Sequence, residues 1–194
     1  MFAGYSGELK VMTQQSGSAL TPEVAAMIGV EGEVVECWGV VDAEYLRRFT
    51  QAVMDPDPRY WDPDFAGSTR YGEIITPPIM VSYMAGRLPP SEGDPITRAF
   101  EEDPQSDGIG GVTQPGELPR IPTTLMRILN AGNELELYRY PSIGDKISYR
   151  HRYSDIRERT GRDGSPFLIV TRETAFRNQD GALLCITRAS TIRR

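Results

Sequence analysis

The sequence contains one histidine, two cysteines and no apolar stretch near the roughly 20 residues that a membrane-spanning helix needs. The histidine is His151, and the cysteines, Cys37 and Cys185, lie far apart in apolar segments. These residues are too few and too scattered for a His/Cys zinc site. Because no signal peptide is evident, the cysteines are expected to be reduced, buried thiols. We therefore expect a cytoplasmic protein with no metal and no cofactor.

Lysine is also scarce, and acids outnumber bases. Only Lys10 and Lys146 are lysines, so a Schiff-base lysine would have to be one of these two. The 194 residues carry a net charge of −6, which argues against nucleic acid or an anionic membrane surface as the main partner. A chain of this length can bury roughly 70% of its unfolded surface, so it needs no disulfide or metal for stability.

Helix signals dominate the first half of the chain. Thr21 can cap a helix that ends at Gly29, because a hydroxyl, a proline and an acid follow one another at its start. Asp42 can cap a second helix that runs to about Met54, with apolar residues at helical spacing on one face. Three prolines within residues 55–64 forbid a continuous helix there and predict a rigid loop.

The segments that follow are an apolar run and a long polar one. Pro77 and Pro78 precede residues 79–85, which are almost wholly apolar and predict a short helix buried on all sides. Residues 88–122 are rich in glycine, proline and acids, and we interpret them as a long insertion. Residues 1–19 show no regular pattern and are expected to be loosely ordered.

The second half of the chain has the pattern of an antiparallel meander. Strand signals cover residues 134–138, 146–154, 167–176 and 183–192, with turns at 161–164 and 179–181, and one earlier strand is predicted at 33–41. Helices followed by a run of strands predict an α+β fold in which one sheet wraps around a buried helix.

Two segments of the first half resemble a known family. The run Phe49 to Ala66 resembles the signature of MaoC-like hot-dog dehydratases, in which an apolar helix leads into Gly-Asp-x-Asn-Pro-x-His. The run Ser68 to Pro78 is similar to the Tyr-Gly…Pro-Pro segment before that family's central helix, and about the last sixty residues match its long strands. The resemblance is closest to the N-terminal-type subgroup, the FAS1-like dehydratase domains, and covers most of residues 20–194.

This resemblance implies a hot-dog fold, a strongly curved antiparallel sheet around one long helix, here Pro77 to about Arg87, in a single domain over residues 20–194. Members of the family act on acyl thioesters of coenzyme A or carrier protein. They work as homodimers, as heterodimers or as fused double domains. The expected partners are therefore such a thioester and either a second copy or a small MaoC-like subunit, in lipid or steroid metabolism.

The resemblance also implies site residues. In active relatives an Asp and a His five residues apart activate water for addition to an enoyl-thioester. Here Asp55 matches the family's Asp, whereas Tyr60 stands at the position of its His. The family's Gly falls on Met54 and its Asn on Asp57, and Asp57 and Asp62 are also natural caps of proline-rich turns.

Backbone amides at the start of the family's central helix polarise the thioester carbonyl. Pro77 and Pro78 have no N–H, so the substrate-binding candidates are the amides of Ile79 and Met80, next to Pro78.

The change from His to Tyr weakens the expected chemistry. Imidazole has an ordinary pKa near 6.5 and phenol one near 10, so forming a phenolate at pH 7 costs about 4 kcal/mol. Tyr60 can donate a hydrogen bond but is a poor general base. His151, on a predicted strand, is expected at the strand surface or at a subunit contact, although a role as a substitute base stays open.

Three functions follow. The favoured one is a degenerate-site subunit of an enoyl-CoA hydratase, paired with a small MaoC-like subunit that carries the Asp/His pair. The second is a self-sufficient hydratase that uses Asp55 with Tyr60. The third is a hot-dog acyl-CoA thioesterase with Asp55 as its base or nucleophile.

Overall fold

The structure is a computed structural model that describes residues 18–85, 100–105 and 118–194. The elements in chain order are α1 (Pro22–Ala25), β1 (Val35–Val40), α2 (Ala43–Ala52), a 3₁₀ turn (Pro58–Tyr60), α3 (Pro63–Ser68), α4 (Met80–Met84), β2 (Ile128–Leu137), β3 (Lys146–Thr160), β4 (Pro166–Arg177) and β5 (Leu183–Arg193). The expectations for the N-terminal segment, for the end of the central helix and for most of the insertion lie outside the described residues.

The five strands form one antiparallel sheet in the order β1-β3-β4-β5-β2. Strand β3 continues six residues beyond the predicted end at Ser154. A bulge between Tyr153 and Asp155 explains the difference, because it breaks the alternation of buried and exposed side chains. After the bulge the next buried residue is Ile156, so a two-residue period no longer predicts the strand.

One face of the sheet, the inner face, carries the first hydrophobic core. Tyr149, Phe176 and Cys185 stand opposite one another on β3, β4 and β5, and each is at most 1% exposed. Leu46 of α2 and Met80 of α4 belong to the same cluster. Helices α2 and α4 also touch each other through Phe49 and Tyr83, whose ring centroids are 5.4 Å apart. The central apolar segment therefore packs against the sheet, as the sequence predicted.

A second core cluster lies farther along the same strands. It joins Val24 of α1 to Tyr153, Ile156, Leu168 and Val170 of the sheet, and it also contains Ile121. Ile121 falls within the stretch that the sequence analysis interpreted as an insertion, so the end of that stretch belongs to the core instead.

The predicted starts of the first two helices are confirmed. The Thr21 hydroxyl accepts a hydrogen bond from the Val24 amide at 3.3 Å, and the Asp42 carboxylate accepts one from the Tyr45 amide at 2.8 Å. Both side chains satisfy amides that have no partner inside the helix. Helix α1 is shorter than predicted, since it gives way to turns before Gly29.

The predicted helix after the proline pair differs in two ways. It begins at Met80 rather than Pro77, and it is not buried on all sides. Met80, Val81 and Met84 face the core, whereas the side chains of Ile79 and Tyr83 are 43% and 50% exposed. Apolar composition alone does not reveal which face of a short helix meets the core.

Residues 55–64 do not form the single loop that was predicted. They contain the 3₁₀ turn and the first turn of α3. Asp57 caps the former through the Arg59 amide at 3.0 Å, and Asp62 caps the latter through the amides of Asp64 and Phe65, both at 3.0 Å. Each aspartate directly precedes a proline at the first helical position, which is a signal for the start of a helix. The prediction of a loop counted these prolines only as residues that interrupt a helix. The interpretation of these two aspartates as caps is confirmed.

Both cysteines are free thiols, Cys185 buried and Cys37 half-buried. Burial raises the pKa of each to about 12, so both stay protonated at neutral pH. Within the described part of the chain, no helix is long and apolar enough to cross a membrane.

The outer face of the sheet is held by an ion-pair network around Glu173. Its side chain is only 8% exposed, and its two carboxylate oxygens lie 2.8 Å from Arg152 Nη2 on β3 and 2.8 Å from Arg188 Nε on β5. Arg188 also reaches Glu136 on β2, at 3.1 Å. The network therefore ties together four of the five strands.

Replacing Glu173 by glutamine is expected to lower the free energy of unfolding by about 2 kcal/mol, because two arginines lose their shared carboxylate. The loss stays below the 3–5 kcal/mol typical of fully buried pairs, since water reaches both arginines. Denaturant unfolding measures it, with Glu134→Gln as the control that removes the same charge from an exposed position of the same face. Equal stability of the two variants would contradict a structural role for the Glu173 network.

Candidate functional site

Asp55 is positioned by the way helix α2 ends. The Met54 amide donates to the Gln51 carbonyl at 3.2 Å and the Asp55 amide donates to the Thr50 carbonyl at 2.9 Å, the paired bonds of a Schellman motif. This motif needs a left-handed residue, and Met54 has φ +55°, the one non-glycine residue with positive φ among those described. The resemblance aligned Met54 with the family's glycine, and the backbone shows why glycine suits that position.

Met54→Gly is expected to raise the free energy of unfolding by about 1 kcal/mol. A left-handed conformation is unfavourable for a residue with a Cβ atom, and the Met54 side chain is 86% exposed, so little burial is lost. Urea denaturation measures the gain. Met126→Gly is the control, because Met126 is similarly exposed at 72% but is not among the residues with positive φ. A loss of stability in Met54→Gly would refute strain at this position.

The side chain of Asp55 is half-buried and organises the loop that follows it. Its Oδ1 accepts a hydrogen bond from the Asp57 amide at 3.1 Å. Asp57 itself is engaged by the Arg59 guanidinium, which holds the pKa of the Asp57 carboxyl below its ordinary value. Asp57 therefore has a structural role here, and Asp55 keeps acceptor capacity for another group.

Tyr60 lies close enough to Asp55 for the charge of that carboxylate to act on it, but it cannot replace a histidine as a base. It is 8% exposed and belongs to the first core cluster. Burial, and after it the negative charge of Asp55, raises the pKa of Tyr60 above its ordinary value. Tyr60 thus stays a protonated phenol at neutral pH, which can donate a hydrogen bond but cannot accept a proton from water.

The loop that carries Asp55 and Tyr60 is joined to the segment before α4. The Ile75 amide donates to the Arg59 carbonyl at 3.3 Å. The next residue, Thr76, is fully buried and donates to the Pro141 carbonyl through both its amide, at 3.1 Å, and its hydroxyl, at 2.9 Å. The Ile75 bond therefore links the aspartate loop to the segment before the apolar helix, and the Thr76 bonds fix that segment to the loop before β3.

Of the two amides predicted to bind substrate, one is already used. The Met80 amide donates to the Pro77 carbonyl at 2.9 Å. Within residues 18–85, 100–105 and 118–194, no acceptor takes a hydrogen bond from the Ile79 amide. The Pro78 carbonyl faces the sheet, where it accepts from Cys185 Sγ at 3.8 Å. Ile79 is therefore the free donor at this turn.

Two further tyrosines, Tyr71 and Tyr140, pack against the core cluster that contains Tyr60. The sequence did not indicate either of them as a site residue. The rings of Tyr71 and Tyr140 meet edge to face with centroids 5.0 Å apart. Arg70 Nη2 lies 2.6 Å from the Tyr71 hydroxyl, and this bond, together with one from Tyr140, lowers the pKa of Tyr71. Tyr140 also lies near Tyr60. Tyr71 belongs to the segment that resembles the family's Tyr-Gly…Pro-Pro motif. Nothing in the sequence, however, indicates that it contacts Tyr140.

The expectation for His151 was wrong. It is 2% exposed and points into the inner face, where its Nδ1 lies 2.8 Å from the Thr174 hydroxyl. Burial, aided by the positive charge of Arg172, lowers the pKa of His151 to about 4. The alternation along β3 predicted a strand but not which of its faces would be covered. No three His, Cys, Asp or Glu side chains of the described residues are grouped as metal ligands would be.

Residues 26–187 match the family model for the FAS1-like, dehydratase domain region. The chain belongs to this family. No curated protein sequence is similar enough to count as a match.

Solved structures of similar fold include the ChsH1-ChsH2 complex of Mycobacterium tuberculosis, with TM-score 0.64, 13% identity and 88% of both chains covered. They also include a MaoC-like dehydratase of Rhodospirillum rubrum, with TM-score 0.52, 19% identity and 84% of this chain and 92% of that chain covered. A truncated HadBC complex of M. tuberculosis, a 3R-hydroxyacyl-ACP dehydratase, has TM-score 0.52, 17% identity and coverage of 86% and 98%. The hot-dog fold and the MaoC-like dehydratase family that the sequence indicated are confirmed.

Proposed function

We propose that this FAS1-like domain is the degenerate-site subunit of an enoyl-thioester hydratase, with enoyl-CoA as its substrate, and that a small MaoC-like subunit supplies the Asp/His pair. The observation that carries the proposal is the state of Tyr60. It occupies the position of the family's base, and its burial beside Asp55 holds it in the protonated form. Hydration of an enoyl-thioester needs a proton acceptor for water, and the protonated phenol that replaces the family's histidine cannot serve as one.

The residues of this chain then bind and orient the thioester. The free amide of Ile79 can donate to the thioester carbonyl, where negative charge develops as water adds to the double bond. Pro78 places this amide next to the sheet, and the second substrate-binding candidate, Met80, contributes packing because its amide is engaged with Pro77. We propose that Asp55 and Tyr60 contribute hydrogen-bonding groups to the same site.

A heterodimer is consistent with the comparisons. Two of the structures of similar fold, ChsH1-ChsH2 and HadBC, are complexes of two named components. We propose the same organisation for this chain, with residues 20–194 as the thioester-binding domain.

A second candidate is a self-sufficient hydratase, which the proximity of Asp55 and Tyr60 favours. In that reaction the Asp55 carboxylate would take a proton from water as the water oxygen adds to the β-carbon. The protonated Asp55 would return that proton to the α-carbon, and the Tyr60 phenol would donate a hydrogen bond.

The purified chain, assayed with crotonyl-CoA and with a bulky enoyl-CoA by loss of enoyl absorbance, distinguishes these functions. We expect no turnover by the chain alone and turnover after addition of a small MaoC-like protein bearing the Asp/His pair. Asp55→Asn in this chain should leave the activity of the pair within about threefold. Turnover by the chain alone that Asp55→Asn abolishes would establish the second candidate instead, and release of free thiol without hydration would establish a thioesterase.

A further inference from the structure

The end of the sheet at which β5 stops and β2 begins is strongly basic. Residues 118–130 and 189–194 meet there, because the backbones of Arg127 and Arg194 exchange two hydrogen bonds of 3.0 Å. These two segments contain no acidic residue. They contain four arginines, which we name the basic cluster: Arg120, Arg127, Arg193 and Arg194. A chain with a net charge of −6 thus gathers positive charge at one place.

The basic cluster has no carboxylate partner among the described residues. The ion pairs of those residues all involve other arginines. Arg194 lies near Asp163, but the Asp163 carboxylate accepts its hydrogen bonds from the amide and the hydroxyl of Ser165, at 3.1 and 2.6 Å. All members of the cluster except Arg193 are exposed. An anion in solution can therefore reach the cluster directly.

Arg193 is the half-buried member of the cluster, opposite Leu168 on the inner face. Its Nε is buried without a hydrogen-bond partner, whereas its two Nη atoms are not among the buried atoms of the described residues. Burial lowers the pKa of Arg193 below its ordinary value, and the positive charge of Arg120 acts in the same direction. Two like charges held close together favour an anion that contacts both.

The basic cluster lies far from the amide that is proposed to bind the thioester. Pro78, the neighbour of Ile79, contacts Cys185 near the start of β5. Arg193 ends the same strand eight residues later, which corresponds to about 26 Å along the strand. A ligand that reached both places would have to be long.

The surface between the two places is accessible along the edge of the sheet. Leu137 of β2 pairs with Cys185 and Leu135 pairs with Thr187, so both leucines share the inner face. Each leucine is 37% exposed. An extended, partly apolar chain can lie on these side chains without entering either core cluster.

We propose that the basic cluster binds the phosphate groups at the nucleotide end of coenzyme A while the thioester lies at Ile79. This inference rests on the proposed function, because it takes an acyl-CoA as the ligand. In coenzyme A the uncharged pantetheine arm separates the phosphates from the thioester sulfur, so the two ends of the ligand need separate binding places. Guanidinium groups bind phosphate through paired, charge-assisted hydrogen bonds, for which arginine is better suited than lysine.

The test compares thioesters that differ only in their phosphate groups. Isothermal titration calorimetry of the purified chain measures the Kd of butyryl-CoA, of butyryl-4′-phosphopantetheine and of butyryl-pantetheine, which are saturated and cannot be hydrated. We expect butyryl-CoA to bind at least about tenfold more tightly than either of the others, since charged hydrogen bonds are lost with the nucleotide. Adenosine 3′,5′-bisphosphate, which lacks the arm and the thioester, should bind and compete with butyryl-CoA. Added salt should weaken butyryl-CoA and leave butyryl-pantetheine unchanged.

Two variants assign the effect to the cluster. Arg193→Met keeps the apolar length of the side chain and removes its charge, and Arg120→Gln removes an exposed charge without touching the core. Each should weaken butyryl-CoA about tenfold and leave the Kd of butyryl-pantetheine unchanged. Arg177→Gln is the matched control, because it removes the same charge from an exposed arginine at the far end of β4. Arg120→Gln decides the question even where Arg193→Met fails to fold.

Equal affinities of butyryl-CoA and butyryl-pantetheine would overturn the inference, as would tight binding of butyryl-CoA that Arg120→Gln retains. Binding of butyryl-4′-phosphopantetheine as tight as that of butyryl-CoA would also overturn it, because recognition would then rest on the phosphate that a carrier protein shares. Failure of every thioester to bind would instead contradict the proposed function. In that case, binding of adenosine 3′,5′-bisphosphate that Arg120→Gln weakens would still support a nucleotide-phosphate site at the basic cluster.

Discussion

Tyr60→His is expected to give the isolated chain measurable enoyl-CoA hydratase activity, about 10²-fold above the background rate recorded with the unmodified chain. The substitution restores the Asp/His spacing of the active relatives on a loop whose backbone is already fixed by the Schellman motif and the Asp57 cap. A general base with a pKa near neutrality typically contributes 10²–10⁴-fold. The lower end applies here, because the rest of the loop has adapted to a phenol.

Two controls separate restored catalysis from other effects. Tyr60→Phe should show no gain, since it supplies no base. Adding Asp55→Asn to Tyr60→His should remove the gain, because the imidazole then loses the carboxylate beside it. Tyr60 is buried, so circular dichroism must first show that each variant is folded. A folded Tyr60→His variant with no activity would show that position 60 is not the position of the lost base.

The features that the sequence predicted well are those with local causes. Thr21 and Asp42 cap their helices with their own side chains, and the Asp-Gly turn before β5 joins two neighbouring strands with Gly181 at φ +76°. Each of these signals involves residues within five positions of one another. The family signature also belongs to this class, because the segment from Asp55 to Tyr60 folds mainly through bonds within itself.

The features that the sequence did not predict depend on distant residues. Tyr71 and Tyr140 are separated by the whole of the predicted insertion, and the bonds of Thr76 to Pro141 and of Ser142 to Glu73 bring their segments together. The burial of His151 depends on the sheet register that places it opposite Thr174. A two-residue alternation reveals that a strand has two faces, but it does not identify the covered face where both carry polar residues.

The buried histidine predicts a specific pH dependence of stability. The pKa of His151 is lowered to about 4 in the folded protein, because burial disfavours the imidazolium and Arg172 repels it, whereas in the unfolded chain it returns to about 6.5. Above pH 7 both states leave the imidazole neutral. As the pH falls from 6.5 to 4, the unfolded state binds a proton that the folded state does not, so the free energy of unfolding decreases.

This loss should reach about 3 kcal/mol at pH 4 and level off just below it, once the imidazole is protonated in both states. Urea denaturation between pH 4 and pH 8 measures it. Because carboxylates titrate in the lower part of the same range, the informative quantity is the difference between the unmodified chain and His151→Phe. The variant lacks the titrating group and should lose less stability on acidification. If the two proteins lost stability in parallel as the pH falls, the prediction would be contradicted. Such a result would mean that His151 has the same pKa in the folded and the unfolded state, despite its burial on the inner face.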